Sequence, residues 1–377
     1  MTHQVTASPA VAAAALACLP EMTPARLRCV LNRWPDPRVA ARAVFSGRAA
    51  QALRGPEERK VYLARTWASA LDIARAEAVL ARRGTRVCVI GDDDYPMNAD
   101  LPGVPGVLFL EGHGSGVFAQ PRVAIVGTRA ATPHGLADAH ELGSHLARNG
   151  VTVVSGLAIG IDAAAHRGAL AVQKRDETFD AAAGHVVGVV ATGLDVVYPR
   201  RHTALFEEVR QQGMIVGENA FGTKPEPTRF PVRNRIIAAL ADVVVVIEAT
   251  ARGGARITAE WAMNYGKPLF AMPGSRRNAA AEGCNALIAD GAQPLLHWDD
   301  ILVALDMTPG SRRSPAEAAK WLDASLHRVL HACGGEPATA DQLAARTGME
   351  PGEVAVAVTA LQDAGLLTQS RGFLWPA

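Results

Sequence analysis

The sequence has 377 residues, 49% hydrophobic and 20% charged, with a formal net charge of +1. That is an ordinary globular composition, long enough for two or three domains. No apolar run approaches membrane-spanning length, and the five cysteines (Cys18, Cys29, Cys88, Cys284, Cys333) are scattered and never form a CxxC pair, which excludes a membrane protein, a disulfide framework and a cysteine-ligated metal cluster.

The charge is unevenly spread. Residues 1–86 hold 14 Lys/Arg against 6 Asp/Glu, and residues 323–377 hold 3 against 6. The middle of the chain is therefore net negative. A phosphate-gripping core would have to concentrate its arginines locally.

In chain order, residues 8–86 read as short helices broken at Pro35-Asp36-Pro37, Ser46-Gly47 and Gly55-Pro56. This predicts a small basic helical domain over 1–80, of the helix-hairpin-helix or SAM-like sort, with an arginine-rich face for nucleic acid or simply for solvent. Residues 8–19 are alanine-rich and lack the basic leader and cleavage pattern of a secretory signal, so a cytoplasmic protein is expected. Residues 86–91 and 107–110 predict short strands that extend a sheet, with Asp92-Asp93-Asp94 as a hydrated turn rather than a cation site.

The segment Val123–Asp162 organises the chain. Two β-branched runs, 123–126 and 151–154, each end in small residues (Gly127-Thr128-Arg129 and Ser155-Gly156) and are separated by a helix opened by Pro133 and closed at Asn149-Gly150. This βαβα pattern predicts parallel strands with ligands beyond their carboxyl ends. Residues 173–183 read as an inserted loop, and 186–190, 214–216, 242–248 and 269–272 as further strands. Each strand is followed by Gly, Ser, Thr, Glu or Arg. The fold expected over 81–305 is thus α/β, an extended Rossmann-like, doubly wound and mainly parallel sheet.

Along this rim Gly127 and Gly156 would let a phosphate approach the backbone, helix N-termini after Thr132, Gly160 and Phe230 would supply N–H donors, and Arg129 would project beside them. A GxGxxG turn after the first strand and a GxxxxGK[ST] loop are both absent, which disfavours NAD and P-loop chemistry; no cofactor is expected. The stretch 222–235 is more specific. Lys224, Arg229, Arg233 and Arg235 surround Phe230, offering cations for a backbone and a ring on which a base can stack. The competing readings are Phe230 as a core contact, and Arg233 or Arg235 paired with Glu248 or Glu260. Val232, Ile236 and Leu240 would form the buried stripe of that helix. Asp162 and His166, four apart, read as a capping carboxylate hydrogen-bonded to a neighbouring histidine rather than a catalytic pair.

Six ordered motifs, VAIVGTR, VTVVSGLAIGIDAAAH, ATGLDVVYPRRH, FPVRNRIIAALAD, GGARITAEWA and MPGSRRN followed by GCNALIADGA, resemble the DNA-processing protein A (DprA/Smf) family from about Asp93 to Gly291. The resemblance implies an extended Rossmann domain that binds single-stranded DNA without cleaving it, dimerises through that domain and loads RecA recombinase during natural transformation. It carries DNA contacts onto Gly127, Arg129, Ser155, Lys224, Phe230, Arg233 and Asn234. Where the family has a small or hydroxyl residue followed by an apolar one, this chain has Ala255-Arg256, and Arg256 would add a phosphate contact. Rossmann-type nucleotide phosphoribohydrolases are the enzymatic alternative. Their PGGxGTxxE signature is only partly kept, in two glycines and a Glu within Glu248–Glu260.

The Pro- and Arg-containing segment 306–320 predicts a linker. Residues 321–377 then predict a winged helix of three helices and a hairpin turning at Arg371-Gly372. Its third helix, 351–365, has no Lys or Arg, which favours protein contact or self-association over duplex binding.

Overall fold

Proline in the first turn and a Ser, Thr or Asp before it start three of the first five helices. In the computed structural model, which describes residues 7–113, 116–175, 185–307, 324–333, 338–363, 367–370 and 373–376, these are α1 (Pro9–Ala17), α2 (Pro24–Arg33), α3 (Pro37–Phe45), α4 (Glu57–Ala70) and α5 (Ile73–Arg83). Ser8, Thr23, Asp36 and Asp72 each accept a first-turn N–H, and left-handed Gly84 closes α5. The alanines of α1 let it pack closely: it is buried from Ala12 to Ala17 against α3 and α5 and against the two strands that follow.

Those strands, β1 (Arg86–Val89) and β2 (Val107–Gly112), pair antiparallel and extend a nine-stranded sheet ordered β1-β2-β6-β5-β4-β3-β7-β8-β9. β3 (Arg122–Gly127), β4 (Thr152–Ser155), β5 (Val186–Val189), β6 (Met214–Gly217), β7 (Val243–Ile247), β8 (Leu269–Ala271) and β9 (Gln293–Pro294) are parallel to one another. Strands β3 to β8, apart from the ends of β3, are buried throughout, as unbroken apolar runs require in a sheet covered on both faces. The last of these strands, β9, was not expected from the sequence. β9 is two residues long and contains a proline, so it carries no periodicity to read.

From β3 the chain winds through α6 (Pro133–Arg148), α7 (Ile161–Arg175) and α8 (Thr203–Gln212) to β6; it then returns through α9 (Arg229–Leu240) to β7, on the far side of β3, and continues through α10 (Gly254–Asn264) and α11 (Glu282–Ala289) to β9, before α12 (Asp299–Ala304). The winding direction reverses between β3 and β7, so right-handed crossovers put the two helix sets on opposite faces. α9 and α10 bury Ile236, Ile237, Leu240, Ala255 and Ala259 with the strand residues Ala124, Val126, Val244 and Val246. α7 continues to Arg175, beyond the loop start expected at 173. Residues 176–183 of the expected insertion, and 308–320 of the expected linker, lie outside the described residues.

The chain divides into two units, Met1–Asp306 and Met307–Ala377. The second has helices at Ala324–Ala332, Ala340–Thr347 and Pro351–Asp363 and a hairpin of β10 (Leu367–Ser370) with β11 (Phe373–Pro376); the expected turn at Arg371-Gly372 lies outside the described residues. Thr339 and Gln342 form a reciprocal capping box. On the third helix Val354, Ala357, Val358 and Leu361 face the core, leaving Glu353, Ala355, Val356 and Thr359 exposed, without a cation. Among the described residues no helix is long and apolar enough to cross a membrane.

Candidate nucleic-acid interface

Ligands collect where the winding of a doubly wound sheet reverses, because the loops there separate to opposite faces. Here that place is the carboxyl end of β3 beside β7. A side chain at Gly127 would strike the Ile247 carbonyl and Ile161, so its glycine is demanded by strand and helix packing. At Gly156 a side chain would displace the guanidinium of Arg233 from its carbonyl partners. Neither glycine is bare merely to admit a phosphate. Thr132 caps α6 through the Gly135 N–H, and Glu248 in turn accepts from the Thr132 N–H (2.8 Å) and hydroxyl (2.5 Å).

Between these loops lies an open crevice of about 460 Å³, lined by Gly127, Thr128, Arg129, Asp162, Tyr198, Phe230, Arg233, Asn234, Thr250, Gly253, Gly254 and Ala255. Phe230 is partly exposed at its mouth. Its ring centroid is 5.4 Å from that of Tyr198, and the exposed Arg129 guanidinium lies 5.2 Å over it. The two rings are inclined at 45° and the guanidinium covers one of them, a cationic aromatic cluster of a kind that stacks a base while holding its phosphate.

Five expected site residues, Gly127, Arg129, Phe230, Arg233 and Asn234, therefore meet at one crevice, but their roles divide. Arg233 is buried. It donates to the carbonyls of Gly156 (2.8 Å) and Val189 and to Asn234 Oδ1 (3.2 Å), tying α9 to the ends of β4 and β5. Burial lowers its pKa to about 10, opposed by the field of Asp162, so it stays charged at neutral pH. Asn234 spends its amide on the Gly254 carbonyl, 3.1 Å. Ser155 is fully buried and donates to the Ile125 carbonyl, 2.6 Å; its side chain is not presented to the crevice. Arg235 pairs with Glu218 at 2.6 Å, not with Glu248 or Glu260, and both groups are nearly buried. Arg256 pairs with Asp290 at 3.8 Å and donates to the Ala251 carbonyl, outside the crevice lining. Lys224 is exposed on the loop after β6.

The helix carrying these residues is also rotated from expectation. Val232 is 52% exposed, while Arg233, Ile236, Ile237 and Leu240 form the inner stripe.

Asp162 accepts from the N–H groups of Gly156 (3.1 Å) and Ala158 (3.4 Å), as a carboxylate in the first turn of α7 should. The expected bond to His166 is not made: among the described residues neither ring nitrogen has a hydrogen-bond partner. Burial pushes His166 down to about 3, so it is neutral in the fold. An unfolded His titrates near 6.5. Its stabilising effect is full above that value and is lost as pH falls, because only the unfolded chain takes up the proton. Urea titrations at pH 6.5 and 5.5 should show about 1 kcal/mol lost, and His166→Gln should flatten that part of the pH dependence. An equal loss in both proteins would assign it to other groups.

Further cations stand on the loops that leave other strands. Arg200 and Arg201 follow β5, Arg252 follows β7, and Arg276 and Arg277 follow β8; all are exposed and, among the described residues, unpaired with any carboxylate. Sequence reasoning left these and Tyr198 out of the site. The signal was present for Arg252, Arg276 and Arg277, which sit in short polar runs just past a strand, but not for Tyr198, Arg200 and Arg201, which lie beyond Val196-Val197 at the entry to α8.

A family model described as "DNA recombination-mediator protein A" matches residues 86–306, and one described as "DprA winged helix domain" matches 313–372. The chain is 34% identical over 317 residues to protein Smf of Synechocystis (74% of this chain, 77% of that protein). It is 36% identical over 305 residues to a putative DNA processing protein DprA of Mycobacterium tuberculosis (76% of each). The X-ray structure of DprA from Streptococcus pneumoniae superposes with a TM-score of 0.63 at 30% identity, covering 79% of this chain and 98% of that one. A Helicobacter pylori DNA processing protein A structure, described in terms of its single-stranded DNA binding mode, superposes with a TM-score of 0.50 at 28% identity, covering 59% and 97%. With the doubly wound sheet, the winged-helix unit and these matches together, the chain belongs to the DNA recombination-mediator protein A (DprA/Smf) family.

Proposed function

We propose that this chain is a non-enzymatic, cytoplasmic single-strand DNA-binding mediator that works as a homodimer and passes the strand to RecA recombinase during DNA uptake and recombination. The observation that carries the reading is the Tyr198–Phe230 pair under Arg129, set among unpaired arginines on one rim. Exposed π-faces serve unpaired bases, which a duplex keeps stacked inside. The single-strand binding described for the Helicobacter pylori relative supports it. The phosphoribohydrolase alternative is not favoured: Glu248 is engaged by Thr132 through both carboxylate oxygens, as a cap.

Fluorescent oligo-dT and a matched duplex, titrated at several salt concentrations, test the binding step. We expect a single-strand preference with a steep salt slope, made shallower by about 0.7 in Arg129→Ala as one phosphate contact is lost. Equal weak binding to both forms, untouched by the substitution, would sink the rim assignment. Sedimentation of the free protein tests the dimer. The rate of RecA assembly on single strands, with and without the protein, tests the hand-over.

A further inference from the structure

We infer that the outer face of α4 is a second single-strand platform, built on Tyr62, Arg59 and Arg65 and continuous with the rim; this rests on the single-strand reading of that rim. Tyr62 is 50% exposed, and the Arg59 guanidinium lies 5.0 Å over its ring. That repeats, in an unrelated element, the cation-over-ring arrangement of Arg129 on Phe230. Val61 is exposed beside it. Arg65, one turn further along the helix, is exposed and, among the described residues, in no ion pair.

A shared cleft lies between the two platforms. Arg59 pairs with Glu21, and Glu21 lines a cleft of about 250 Å³ with Asn219 and Thr223 of the loop after β6 and with Arg229, the first residue of α9. Arg229 directly precedes Phe230. The Trp67 indole of α4 donates to the Pro20 carbonyl at 2.9 Å, fixing the helix against the same turn. Arg229 is held by Glu226 and Asn219, so a strand leaving the crevice past it would run along this cleft toward Arg59 and Tyr62.

Charge selects the occupant. Residues 1–86 carry 14 Lys/Arg against 6 Asp/Glu, whereas the rest of the chain is net negative. On α4 itself Glu57 and Glu58 are exposed and Glu21 engages Arg59, so the match to an unpaired strand is narrower: a phosphate for Arg65 and a base face for the half-exposed Tyr62, with Arg59 held over its ring.

The test uses the full chain and two fluorescent oligo-dT lengths, about 6 nucleotides to stay on the rim and about 20 to run beyond it. We expect Tyr62→Ala to leave the short oligomer unaffected and to weaken the long one about tenfold, with Tyr62→Trp restoring it. Arg65→Ala should lower the salt slope for the long oligomer alone. Wild-type affinity for the long oligomer in both Tyr62→Ala and Arg65→Ala would overturn the inference. So would an equal loss at the two lengths. Arg129→Ala, run alongside, separates the readings: loss at both lengths keeps the rim whatever Tyr62 does, and no loss at either removes the rim and the continuity on which the platform depends.

Discussion

Arg233→Ala is expected to destabilise the fold by about 3–5 kcal/mol, the cost typical of breaking a buried charge network from one side. The buried guanidinium holds the carbonyls of Gly156 and Val189 and the side chain of Asn234, and it balances the field of buried Asp162. Truncation leaves two strand-end carbonyls without a donor and a carboxylate without its counter-charge. Burial already raises the pKa of Asp162, with Arg233 opposing that shift, so in the variant the carboxyl group moves further toward its neutral form. Urea unfolding followed by circular dichroism measures the loss as a lower midpoint at unchanged slope. Adding Asp162→Asn should recover part of it, since the orphaned charge is then removed. Single-strand affinity, measured under conditions where the variant is folded, separates the two roles assigned to this residue. Near-normal binding by the folded variant fits an arginine that positions the rim from beneath. An unchanged midpoint with binding abolished would instead make Arg233 a direct DNA contact, as the family resemblance implied.

The contrast between Arg233 and its neighbours shows what could be read from the chain and what could not. Helix α6 was legible end to end because its signals are local: Thr132 caps it, Pro133 sits in its first turn, and Asn149-Gly150 ends it. The parallel core strands were legible because a strand buried on both faces needs an unbroken β-branched run. The rotation of α9 was not. A periodicity count places cations outside, yet Arg233 occupies the inner stripe because its acceptors come from the ends of β4 and β5, 77 and 44 residues away. The same holds for Arg235, whose partner Glu218 lies at the end of β6. The engagement of Ser155 was illegible for a related reason: its hydroxyl is taken by a carbonyl of the neighbouring strand, a pairing set by sheet register rather than by spacing. Glycine is ambiguous in a different way, because Gly127 and Gly156 look alike in sequence whether they make room for a ligand or, as found, for the protein's own atoms. Two of the expected residues stay open to a ligand and were marked in sequence by position: Arg129, a cation just after a strand, and Phe230, an aromatic residue among arginines.

Phe230→Ala should therefore weaken single-strand binding by about 1–3 kcal/mol, roughly 5- to 150-fold in Kd, with little change in the salt slope. Stacking releases no counterions, whereas a lost phosphate contact does. The substitution removes the ring beneath Arg129 and the partner of Tyr198, leaving both side chains exposed on the rim. Stability should fall little, because Phe230 is only partly buried, and Phe230→Trp should hold or improve affinity by offering a larger face. Duplex binding should hardly respond, since paired bases do not expose the surface that stacks. That last comparison decides what the ring does. If Phe230→Ala weakens duplex and single strand alike and flattens the salt slope, the ring acts only by holding Arg129 in place, and recognition on this rim is of phosphate alone. If the loss is confined to single strands at constant slope, the base itself is read as an exposed face, which is what lets a mediator select unpaired DNA without reading its sequence.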